Sequence, residues 1–69
     1  LQNTNSEQIA LNVYDVNGML IRTVTVSSGN EIYWDGKDNG GNIVNGGIYL
    51  YQIKLGTAVV KSGSVVLIR

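Results

Sequence analysis

The chain has 69 residues, five basic and five acidic side chains, a net charge of zero, and no cysteine, histidine or proline. That length builds one small domain, and the missing cysteine and histidine remove disulfides, thiolate metal sites, the commonest nucleophile–base pairs and nearly all zinc chemistry. The cations Arg22, Lys37, Lys54, Lys61 and Arg69 are scattered, which argues against nucleic acid as a partner, and no apolar run nears the ~18 residues of a membrane span.

No cofactor is expected. No basic n-region followed by an apolar stretch marks a signal peptide, and the chain starts at Leu1 without Met, so the expectation is a piece of a longer protein.

Residues 1–7 are polar and read as a linker or edge segment, with the domain proper at 8–69. A first strand is predicted over 8–15, where Ile9, Leu11 and Val13 alternate with Ala10, Asn12 and Tyr14. Asn17-Gly18 closes a hairpin; Asn-Gly recurs at Asn39-Gly40 and Asn45-Gly46, and both residue types tolerate the positive φ of a type I′ turn. A second strand follows over 19–26, with Met19 and Ile21 on one face and Leu20, Val24 and Val26 on the other. A third is predicted over 31–34.

Residues 35–42 form a loop dense in glycine and short polar side chains. Ile43-Val44 is a short apolar step. The next strand spans 48–55, with Tyr49, Tyr51, Ile53 and Leu55 on one face. Gly56-Thr57 turns the chain into a last segment, 58–69, expected to break or bulge at Ser62-Gly63. The whole reads as all-β: a small immunoglobulin-like antiparallel sandwich of about seven short strands, without an internal repeat.

Three constellations invite chemistry. Asp35, Asp38 and Asn39 carry oxygens that suit calcium, yet Lys37 sits among them, and the favoured reading is that they bond their own backbone as Asx-turns. Trp34 with Tyr33, Tyr49 and Tyr51 could offer sugar a platform; the favoured reading places Trp34 in the core. Asp15 and Glu31 could be paired carboxylates, but Asp15 directly precedes a turn, where aspartate is expected anyway, and a domain of this size offers no cleft. An enzyme is not expected.

Asn12-Val13-Tyr14-Asp15-Val16-Asn17-Gly18 followed by Leu20-Ile21-Arg22-Thr23-Val24 resembles the hairpin of Ig-like domains related to the flagellar hook-capping protein. Trp34-Asp35-Gly36-Lys37-Asp38, then Gly41-Asn42-Ile43-Val44 and Gly47-Ile48-Tyr49, resembles that family's Trp-Asp-Gly signature. The tail, 61–69, resembles the ending of C-terminal sorting domains of the type IX secretion system of Bacteroidota, the gliding-motility-associated type included.

The resemblance implies a targeting domain of an exported protein. It would be read in the periplasm by outer-membrane translocon components, with a parent cargo protein N-terminal to it, and would end secreted or on the cell surface. The residues it puts forward for recognition are Gly47, Tyr49, Lys61, Gly63, Leu67, Ile68 and Arg69. The alternative is a structural Ig-like spacer or assembly module of an extracellular enzyme, adhesin or flagellar cap.

Overall fold

The computed structural model describes residues 8–27 and 32–68; the expected linker 1–7, Glu31 and Arg69 lie outside the described residues. Among the described residues four strands form: β1 (Gln8–Tyr14), β2 (Leu20–Ser27), β3 (Gly47–Leu55) and β4 (Ala58–Leu67). They make one antiparallel sheet in the order β2-β1-β3-β4. Two hairpins, β1β2 and β3β4, thus meet along β1 and β3. This is the order of the C′, C, F and G strands in one sheet of a variable-type immunoglobulin sandwich.

The count differs from the expected seven or so. Among the described residues the only further pairing is an isolated bridge between Lys37 and Ile43. The predicted third strand has no counterpart over 32–34. Ile32 and Trp34 instead lie against the sheet and, with Val44, cover its inner face. A run of apolar and aromatic residues reads as a strand by composition, but burying two side chains outweighs pairing for a segment this short.

The core is small. Val13 is 1 % exposed, Leu11 8 % and Tyr49 9 %. Register explains the choice: Val13 stands opposite Tyr51, and Leu11 opposite Ile53 on one side and Val24 on the other. Directly opposed residues share a face, so these side chains form one apolar inner layer, extended on β4 by Val65 opposite Tyr49. Full burial of a valine contributes roughly 1.5–3 kcal/mol, so a few such residues carry much of the stability.

Two bulges correct the predicted faces. Between the pairs Val13–Arg22 and Tyr14–Leu20, β2 holds one extra residue, Ile21. The extra residue reverses the alternation. Leu20 therefore lies beside Tyr14 on the outer face, away from Val24 and Val26, and Ile21 packs against the core. On β4 the extra residue is Val60, between the pairs Lys61–Ile53 and Val59–Lys54. Ser62-Gly63, where a break was expected, pairs regularly with Gln52 and Tyr51.

The outer face divides into two zones. One row across all four strands is polar, Thr23, Asn12, Gln52 and Ser62, and the Thr23 hydroxyl donates to Asn12 Oδ1 at 2.9 Å. Nearer the Asn17-Gly18 turn it is apolar, with Leu20, Tyr14 and Leu50 in one row and Ile48 opposite Val66. No helix among the described residues is long and apolar enough to cross a membrane.

Candidate recognition surface

The loop after β2 is built on aspartate. Asp38 N–H donates to Asn42 C=O at 2.9 Å, Gly41 N–H to Asp38 C=O at 3.0 Å, and Asp38 Oδ1 accepts from Gly40 and Asn42 N–H, each at 2.9 Å. The first hairpin repeats this pattern. Asp15 N–H donates to Met19 C=O, Gly18 N–H to Asp15 C=O, and Asp15 Oδ1 accepts from Asn17 and Met19 N–H, all at 2.9–3.0 Å. Each turn is five residues, with aspartate first and a glycine fourth at φ +87° (Gly18) or +84° (Gly41).

The two turns are one device used twice, an internal repetition that the sequence reading did not expect. It is a type I turn closed by a left-handed glycine, not the expected type I′ turn. A type I′ turn needs positive φ at both central residues, and no described non-glycine residue has one.

The aspartates thus act on their own backbone. Asp35 does the same, accepting from Lys37 N–H at 3.1 Å. Asn39 does not: its N–H donates to Ile21 C=O and its Oδ1 accepts from Thr23 N–H, both at 3.0 Å. One residue thereby satisfies a donor and an acceptor on the outer edge of β2 and seals that edge locally. The spacing Asp-x-x-Gly, present at Asp15 and Asp38, was the sequence signal for the paired turns; nothing in the sequence pointed to the Asn39–β2 contact. Asp38 also has its carboxyl held below the ordinary aspartate value, first by the Asn42 N–H, with the Gly40 N–H and the Arg22 charge adding and burial opposing.

Trp34 joins the loop to the sheet. Its indole N–H donates to Lys37 C=O at 2.9 Å, and its ring meets Tyr49 edge-on, centroids 5.1 Å apart at 66°. Tyr49, near the start of β3, donates its hydroxyl to Asn45 C=O at 2.6 Å. A tyrosine at the start of strand F that bonds back to the backbone a few residues upstream is the tyrosine corner of immunoglobulin-type domains. Trp34 and Tyr49 therefore meet at an angle and serve packing. Tyr33 is 72 % exposed.

The residues put forward for recognition fall on the β3β4 hairpin, apart from Ile68, just past its end, and Arg69, which lies outside the described residues. Gly47 opens β3 at φ +148°, opposite the half-buried Leu67. Tyr49 is in the core. Lys61 is exposed on β4, opposite Ile53. Gly63 lies opposite Tyr51, and a Cβ there would stand 2.9 Å from the Tyr51 hydroxyl, so the ring lies over the glycine. Ile68 is 87 % exposed just past β4. From Lys61 to Leu67 the strand covers about 20 Å at its usual rise, so these residues are spread along the edge strand of the sheet.

Sheet order, the hairpin pair and the Tyr49 corner define an immunoglobulin-like β domain. Residues 2–58 match the FlgD Ig-like domain family. The chain belongs to that family. No curated protein and no solved structure matches it.

Proposed function

We propose that this domain is a non-catalytic structural unit, an Ig-like spacer or assembly module of a larger protein. The observation that carries the reading is membership of the FlgD Ig-like domain family over residues 2–58. The wiring of the first hairpin turn and of the loop after β2 agrees with it: Asp15 in the turn and Asp35 and Asp38 in the loop each hold backbone amides, and Trp34 and Tyr49 hold the loop to the sheet. Such a module sets distance and orientation between its neighbours.

The second reading is the type IX address, with translocon components as partners, a parent cargo before the domain, and a route through the periplasm to the surface or medium. It is favoured by one feature: the tail, 61–69, lies beyond the family match, and its residues 61–67 are on the edge strand β4.

One experiment separates the two. Residues 8–69 are replaced in the parent protein by an unrelated Ig-like domain of similar length, and export and assembly of the parent are measured. A structural module tolerates the exchange. Loss of export alone, restored by returning the native domain, overturns the structural reading in favour of the address.

A further inference from the structure

The two edges of the sheet are treated differently. β2 is sealed at Ile21 and Thr23 by Asn39. Among the described residues nothing pairs with the outer edge of β4. Open edges are normally blunted by charge or by a bulge, and the first half of β4 has both, Lys61 and the extra residue Val60. Residues 62–68, by contrast, carry no charge and include Val65, Val66, Leu67 and Ile68 in succession. Val66 is 66 % exposed and Ile68 87 %, and Ile48, opposite Val66, is 56 % exposed. Among the described residues this is an unprotected apolar edge.

We propose that this edge pairs with the same edge of a second copy of the chain, β4 against β4 antiparallel, to make a continuous eight-stranded sheet. This goes beyond the structural reading above. A two-fold axis perpendicular to the sheet keeps the inner faces of both copies on one side, so one residue must face itself across the axis.

Val66 fits that position. It gives an outer-face ladder Ile48, Val66, Val66, Ile48 across four strands, and it sets Val65 opposite Leu67 of the other copy on the inner face, twice. Apolar residues then oppose apolar ones at the centre of the contact, which is what stabilises cross-strand pairs, and Ser64 stands opposite Ile68 at each end. An axis at Lys61 would oppose like charges. The axis at Val66 also leaves Lys61 and the Val60 bulge outside the contact. The contact is short, below the roughly 1,200 Å² of standard complexes, so the dimer is a weak one.

The chain lacks cysteine, which makes cross-linking a clean test. Val66→Cys is oxidised at a series of protein concentrations beside Ser62→Cys, and the covalent dimer is read on non-reducing gels. Val66→Cys is expected to cross-link readily and Ser62→Cys poorly. Sedimentation of the unmodified chain is expected to show a monomer–dimer equilibrium, abolished by Val66→Lys and retained by Val59→Lys, with the β-type circular dichroism unchanged in both. A chain that stays monomeric at every concentration overturns the proposal. So does equal cross-linking at both positions, association that survives Val66→Lys, or open-ended fibres in place of a dimer.

Discussion

The hydroxyl of Tyr49 donates to the carbonyl of Asn45 at 2.6 Å, closing the chain entering β3 onto the strand itself. Asn45 lies in the crossing segment that runs from the sealed edge at β2 to the centre of the sheet. The bond, with the Trp34 ring on the Tyr49 ring, ties that segment to the core.

Tyr49→Phe keeps the ring and removes only the donor. One hydrogen bond contributes about 1 kcal/mol net, which in a domain of this size lowers the melting temperature by roughly 4–8 °C. Trp34→Ala removes the ring as well and is expected to cost about 3–5 kcal/mol, most of the stability of a small domain. Thermal circular dichroism reads both; an unshifted Tyr49→Phe midpoint would show that the corner contributes nothing.

Gly63→Ala places a methyl group 2.9 Å from the Tyr51 hydroxyl. The ring must swing off the strand, and such overpacking costs about 1–3 kcal/mol. Tyr51→Leu removes the obstacle, so the double variant should lose less than the sum of the single ones. Strict additivity of the two midpoint shifts would refute the contact.

Gly18 and Gly41 adopt φ +87° and +84° with no atom near enough to touch an added Cβ. Gly18→Ala and Gly41→Ala therefore report backbone strain alone, about 1–2 kcal/mol each. Asn17→Ala should lose less than Gly18→Ala, because Asn17 has ordinary negative φ. The reverse order in chemical denaturation would restore the type I′ turn.

Asp38 makes stability depend on acid. Its carboxyl is held below the ordinary value in the folded chain by the Asn42 and Gly40 amides. A depressed aspartate contributes its stabilisation in full above its unfolded value and loses it as pH falls through the lower folded value. Asp38→Asn should flatten the acid limb of the stability curve and leave the pH dependence near neutrality unchanged, because the carboxylate is ionised in both the folded and the unfolded chain there. An unchanged acid limb would exclude Asp38 as its source.

Much of the β architecture was legible in the residues. Alternation at Ile9, Leu11 and Val13, and at Tyr49, Tyr51 and Ile53, marks strands with one apolar face, since that period follows from the backbone pleat alone. The local role of Asp35 and Asp38 was also legible, because a short carboxylate reaches its own backbone before any distant partner. The resemblance of the Trp-Asp-Gly block placed the chain beside the family it belongs to.

Tertiary structure decided the rest. Only the register shows that Ile21 and Val60 are extra residues, because a bulge is set by the partner strand and by twist. Whether Ile32 and Trp34 pair or pack was settled by the apolar face of a sheet formed from strands far away in sequence. Asn39 reaching β2, and Tyr51 lying on Gly63, are contacts between segments 16 residues apart in the first case and across a hairpin in the second. Local sequence specifies which conformations a segment can adopt; which side chains meet depends on how the two hairpins align along β1 and β3.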